Sequence, residues 1–322
     1  MENIKHFLRL IRVKNLLMIV VTQFVVRYGL LYAMLMNDYK VLDVNLSLQL
    51  PFVIFLCLVL ATVFICASGY IINDYFDVNT DMINKPDKVV IGKHINRRFA
   101  MLMHWLFNIV GVILGGIASV YIGHWNFTIL FVLIAMMLWL YSVSFSKQAF
   151  VGNIVVALLV AMVPLIIAIF ELIPLNNMYY YVLKNVFLSF EILLFWSLGY
   201  ALFAFLLTLI REIVKDIEDL QGDVAYGRTT VPITLGIPAA KFIVSSLIVI
   251  TVGALLFVFV AYLFELLTGL YLLFGIILPL CVALILFIRA QESKQYYWVS
   301  QILKLIMLLG LIYIPIKHVL FV

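Results

Sequence analysis

Six aspartates fall into two sets with one spacing. Asp74, Asp77 and Asp81 stand three and then four residues apart in "NDYFDVNTD", and Asp216, Asp219 and Asp223 repeat the interval in "KDIEDLQGD". On a helix, residues i, i+3 and i+7 share a face, so each set predicts a line of carboxylates about 10 Å long. Asn73 lies four residues before Asp77, on the same stripe. Carboxylates so arranged repel one another, and a bound divalent cation removes that repulsion. Oxygen ligands with no nearby His or Cys suit Mg2+, which commonly bridges to substrate phosphates. Asn73, Asp77, Asp219 and Asp223 lead as metal ligands, with Asp74, Asp81 and Asp216 beside them; Asp77, Asp81, Asp219 and Asp223 are the expected catalytic acids. A calcium loop starting at Asp77-x-Asn79-x-Asp81 is excluded, because its required Gly and Glu positions hold Met82 and Lys88.

Cations accompany both stripes. Lys85, Lys88, Lys93, Arg97 and Arg98 follow the first, while Arg211 and Lys215 precede the second and Arg228 follows it. Acids that hold a metal, flanked by cations, point to a polyanion such as a diphosphate, with Lys85, Lys215 and Arg228 as candidate contacts. Two plainer explanations compete: solvated surface charge for the acids, and topology-determining charge for the cations. The repeated spacing argues against the first.

The elements that position these residues are membrane helices. The chain is 66% hydrophobic and 11% charged, with a mean hydropathy of +1.19. Apolar runs of spanning length occur near 16–36, 49–72, 101–121, 126–145, 150–172, 187–212, 241–264, 268–289 and 298–318. The expected fold is all-α, a single transmembrane domain over 1–322. The first run is too long for a signal-peptide core and reads as a retained helix. Lys and Arg concentrate at the N-terminus and in the connections 73–100, 146–149, 213–240 and 290–297. The positive-inside rule makes those cytoplasmic and the C-terminus external. The two long cytoplasmic connections hold eight of the sixteen acids. Cys57, Cys66 and Cys281 all fall within apolar runs, and the five histidines show no zinc spacing. The basic residues lack interleaved stacking aromatics, which excludes a nucleic-acid partner.

In this setting the sequence resembles the UbiA-type intramembrane prenyltransferase superfamily. Its members have nine transmembrane helices, an NDxxDxxxD motif after the second and a DxxxD motif after the sixth, matched by "NDYFDVNTD" and "DLQGD". The resemblance adds Arg12 and Asn15 in "LIRVKNLLM", and Tyr141, Lys147 and Asn153 in "YSVSFSKQAFVGN", as substrate or diphosphate contacts. Val13 replaces the usual Pro, and Ser146 a common second basic residue. "KDIEDLQGDVAYGRTTVPI" and "INDYFDVNTDMINKPDK" are most similar to the digeranylgeranylglyceryl phosphate synthase branch; "VVIGK" (89–93) departs from that branch and marks a loop expected to shape the acceptor site.

The resemblance implies Mg2+-dependent transfer from a prenyl diphosphate in the lipid bilayer. The two stripes are expected to face each other across a cavity near the cytoplasmic surface. The expected acceptor is a prenylglyceryl phosphate hydroxyl; an aromatic acid is the alternative. A cation-coupled transporter is the remaining class, disfavoured because transporter sites lie near the midplane on broken helices. Arg27 is expected to snorkel or to pair locally.

Overall fold

The computed structural model describes residues 2–38, 46–186 and 189–320. The described chain is helical, with only two isolated β-bridges, Ile91 with Ile95 and Gln148 with Thr229. An amphipathic helix α1 (Glu2–Leu10) precedes α2, which runs Val13–Phe24, continues in π-helical form over Val25–Tyr32 and ends at Ala33–Asp38. Then come α3 (Phe52–Asn84), α4 (Arg97–Tyr121), α5 (Thr128–Val143), α6 (Val151–Val186) and α7 (Glu191–Glu218). Two short helices follow, α8 (Leu220–Ala225) and α9 (Val231–Leu235), then α10 (Ile237–Tyr262). Helix α11 runs Leu266–Tyr271, Leu272–Ile277 and Leu278–Arg289, its middle again π-helical, and α12 is Ser293–Leu320.

Nine of the described helical segments are long and apolar enough to cross a membrane. In number and order they match the runs expected from sequence. This is an integral, multi-pass membrane protein.

The boundaries depart from expectation in informative ways. Helix α3 continues past the apolar run to Asn84, so the first acidic stripe lies on a membrane helix rather than in a connection. Segment 173–186, expected as an external connection, is helical within α6, which carries Pro164 and Pro174. Membrane helices accommodate such prolines because neighbouring groups satisfy the freed carbonyls. Parts of the expected 37–48 connection, and the start of the 187–212 span, lie outside the described residues.

Two compact units divide the described chain. One comprises the residues up to Val143 together with Met162–Ala201, and the other Ser144–Ala161 with the residues from Leu202. In the first, helices approach closely at glycines: a Cβ on Gly111 would lie 2.6 Å from Ile65 Cγ1, and one on Gly115 2.5 Å from Phe131. Its polar staple is Arg27, 3% exposed, whose Nε lies 3.2 Å from Oε2 of the fully buried Glu171. Arg27 also donates to the Leu50 carbonyl and stacks over Phe55, while Glu171 Oε1 accepts the backbone N–H groups of Gln49 and Leu50. Arg27 therefore does not snorkel, and its partner is not local but Glu171, distant in sequence. The cost of burying each charge is offset by its partner and by hydrogen bonds to the 46–50 segment.

The second unit packs Ile210, Val214 and Ile217 of α7 against Ile248, Phe287 and Leu303. Those apolar positions recur at helical spacing, so the opposite face of α7 is left to carry Glu212, Lys215 and Asp216.

Candidate functional site

In the first unit, Asn73, Asp74, Asp77 and Asp81 lie on one unbroken helix. Asn73 Nδ2 donates to Asp77 Oδ2 at 2.9 Å, the i, i+4 contact that the stripe spacing anticipates. Asp77 is 8% exposed, unlike a freely solvated surface acid. The Asn73 amide oxygen is buried with no hydrogen-bond partner. An unspent oxygen acceptor beside a buried carboxylate fits a hard cation.

Asp74 is differently engaged: Arg12 Nη2 lies 2.6 Å from its Oδ1. Arg12 stands between α1 and α2 at φ 50°, ψ 52°, a left-handed conformation costly for a residue with a Cβ. The guanidinium also sits 5.0 Å from the Tyr70 ring centroid, and the Asp74 carboxylate holds it still more firmly protonated. Strain retained at a residue bearing such a contact is characteristic of functional positions. Asn15 lies in the first turn of α2, its N–H bonded to the Arg12 carbonyl at 2.7 Å, and Tyr141 lies near the end of α5. Lys85 ends α3, donating its N–H to the Asp81 carbonyl at 2.8 Å.

The loop after α3 folds back on the first unit. Val89, Val90 and Ile91 of "VVIGK" are buried against Leu10, Ile71 and Ala100, while Gly92 and Lys93 are exposed. Those three residues pack the unit together, while Lys93 Nζ donates to the Pro86 carbonyl at 2.8 Å.

In the second unit, the stripe is not on one continuous helix. Asp216 lies in α7, Asp219 at the junction with α8 (φ −98°, ψ 10°), and Asp223 in α8, 3% exposed. The hydrogen-bond ladder nevertheless carries through, from Asp219 N to the Lys215 carbonyl at 2.9 Å and from Asp223 N to the Asp219 carbonyl at 3.2 Å. Asn153, 6% exposed in the first turn of α6, donates from Nδ2 to Asp216 Oδ2 at 2.9 Å. It enters that turn beside Gly152, where a Cβ would meet the Phe145 carbonyl oxygen at 2.5 Å, so only glycine permits this approach.

Cations are built into this half. Arg228 Nη1 is 3.5 Å from Asp223 Oδ1, and Lys215 Nζ is 2.9 Å from Glu212 Oε2. Lys147 is exposed, and its carbonyl accepts both the N–H and the hydroxyl of Thr229, at 2.8 and 2.9 Å. Lys147 and Arg228 are thus carried on two loops zipped together by Thr229.

Sequence reasoning missed Glu212, which takes both Arg211 (3.0 Å) and Lys215; its spacing, three residues before Lys215 and four before Asp216, was the available signal. It also missed Thr229, for which no local pattern exists. Among the described residues, no three His, Cys, Asp or Glu side chains converge as a ready metal cage. The stripes explain this: their acids are spread along helices, and several already hold a cation or an amide. Such an arrangement suits Mg2+, which takes one or two carboxylates and completes its shell with water and phosphate.

Known proteins resemble the chain throughout its length. Digeranylgeranylglyceryl phosphate synthase of Methanobrevibacter smithii is 28% identical over 83% of this chain and 86% of its own. The protein of that name from Thermococcus gammatolerans is 31% identical over 74% of this chain and 76% of its own. A structure from work on digeranylgeranylglyceryl phosphate synthase in membranes superposes with a TM-score of 0.64, covering 99% of both chains at 23% identity. A UbiA homologue from Archaeoglobus fulgidus bound to GPP and Mg2+ gives 0.57 at 15% identity, over 96% of this chain and 99% of its own. Such likenesses support the fold, an all-α UbiA bundle. The UbiA prenyltransferase family profile matches residues 16–308, through both units and both acidic stripes, and the chain belongs to that family.

Proposed function

We propose that this enzyme transfers an isoprenyl chain from a prenyl diphosphate to the hydroxyl of a prenylglyceryl phosphate, forming an ether lipid and releasing diphosphate. The observation that carries the reading is the first stripe: the buried Asp77 braced by Asn73, whose amide oxygen remains an unspent acceptor. The relatives named as digeranylgeranylglyceryl phosphate synthases support the acceptor class, and the GPP- and Mg2+-bound homologue supports the donor and the ion.

Asn73, Asp77 and Asp81 on one stripe, and Asp216, Asp219 and Asp223 on the other, would hold Mg2+, with Asp74 committed to Arg12. When bound, the ion supplies charge neutralisation to the diphosphate as a leaving group. The chain's own groups do the rest. Lys85, Lys147, Lys215 and Arg228 bind and orient the diphosphate, and their positive charge stabilises the negative charge that grows on it as the C1–O bond breaks. Asn153 holds Asp216 in place. Arg12, Asn15 and Tyr141 meet the substrates, Arg12 as a cation for an acidic acceptor group. The membrane helices exclude water from the allylic carbon, favouring attack by the acceptor hydroxyl. The Lys and Arg distribution supports a cytoplasmic site and N-terminus and an external C-terminus, and we read the chain as one functional domain.

The test is an assay with one labelled prenyl diphosphate, offering prenylglyceryl phosphate and aromatic acids in competition. A prenylated glyceryl phosphate as the dominant product by mass supports this reading; a prenylated aromatic acid replaces its acceptor.

A further inference from the structure

His104 is 1% exposed within membrane helix α4 and has no part in the site described above. Its Nδ1 lies 3.0 Å from the Ser68 backbone carbonyl oxygen of α3. A carbonyl only accepts, so Nδ1 carries a proton. Asn108 Nδ2 lies 3.1 Å from the other ring nitrogen, Nε2, and Asn108 Oδ1 accepts the Ser68 hydroxyl at 2.7 Å. Ser68, His104 and Asn108 thereby close a polar ring between α3 and α4.

This ring stands immediately behind the first acidic stripe. Ser68 precedes Asn73 by five residues, about 7.5 Å along the helix. The next residue, Gly69, is pressed by α5: a Cβ there would lie 3.0 Å from Leu138 Cδ1. Trp139 of α5 packs 5.2 Å from the His104 ring and 6.1 Å from Phe76, which lies between Asp74 and Asp77. Apolar packing between membrane helices tolerates small slides and rotations, because one methyl contact replaces another. A directional hydrogen bond to a backbone carbonyl does not. Buried polar groups are costly in this environment unless they are hydrogen-bonded, as His104, Asn108 and Ser68 are here.

We propose that His104 is a positioning residue for prenyl transfer: its Nδ1–H grip on the Ser68 carbonyl fixes the axial and rotational place of the Asn73–Asp77–Asp81 stripe. The inference rests on that stripe being the metal–diphosphate site.

The test compares His104→Asn with His104→Gln in the full-length protein, because an Asn amide nitrogen occupies the Nδ1 position and a Gln amide nitrogen does not. Both lose ring contacts and lower the melting temperature comparably. His104→Gln is expected to raise the Mg2+ concentration for half-maximal transfer by about tenfold, the low end of what loss of a direct ligand partner costs, and His104→Asn to stay near wild type. Equal behaviour of the two, or an unshifted Mg2+ requirement in His104→Gln, overturns the proposal. If His104→Gln does not fold, Asn108→Leu decides: it releases Nε2, and a smaller shift in the same direction is expected, while none overturns the proposal. Asp77→Ala is the control. Should it keep wild-type Mg2+-dependent turnover, the site reading fails and the inference with it; should it lose turnover while His104→Gln keeps its Mg2+ requirement, only the inference fails.

Discussion

The two acidic stripes share a spacing but are built differently. The first rides an uninterrupted 33-residue helix, and its internal brace is an amide, Asn73 on Asp77. The second crosses a helix junction at Asp219, and its carboxylates carry partners from elsewhere in the same unit: Asn153 on Asp216, Arg228 on Asp223. The first stripe is therefore a line of oxygen groups on one helix, with one acid, Asp74, already paired with Arg12. The second combines acids with cations and is the more suited to gripping an anion together with its metal. On the proposed reading, one spacing in sequence serves the metal more in the first stripe and the phosphate more in the second.

The largest effect that bears on this contrast is loss of either stripe's central acid. Asp77→Ala and Asp219→Ala are each expected to lower turnover about 1,000-fold or more while the protein still inserts and elutes as wild type, as removal of a principal charge-stabilising group does. Retained turnover in one but not the other, measured with labelled donor, breaks the idea that both halves serve one reaction. A smaller loss, about 10- to 100-fold, is expected for Asn153→Leu, which keeps every carboxylate but frees Asp216 from its amide brace. Michaelis analysis against the donor checks it, and a wild-type KM and kcat remove Asn153 from the positioning role. The smallest effect is expected for Asp74→Asn. Its ion pair with Arg12 is partly exposed, 36% and 19% on the two sides, so stability should change by about 1 kcal/mol or less. Turnover should fall far less than in Asp77→Ala; an equal fall would return Asp74 to the metal ligands.

Much of this was legible from residues alone, because hydrophobic run length and aspartate spacing are local properties. The count of spans and the helical stripe at 73–81 needed no tertiary information. The end of α3 was misjudged for a physical reason. Polarity marks where a helix leaves apolar surroundings, not where its hydrogen-bond ladder stops, and α3 continues through Asn84 with Asp77 buried and Asp74 and Asp81 half-buried. "VVIGK" shows the converse: its departure from a familiar motif says nothing of packing, yet its three apolar residues are part of the first unit's core.

Run lengths and residue intervals alone fix an all-helical membrane protein with two matching carboxylate stripes, since spanning length and a 3-then-4 interval are set by helix geometry. Which of those carboxylates are already spoken for is set by the packing of helices. Arg12 meets Asp74 from 62 positions away, Asn153 meets Asp216 from 63, and Arg27 meets Glu171 across most of the first unit. Such pairings depend on which helices pack together and at what axial offset, and neither is encoded in any one segment.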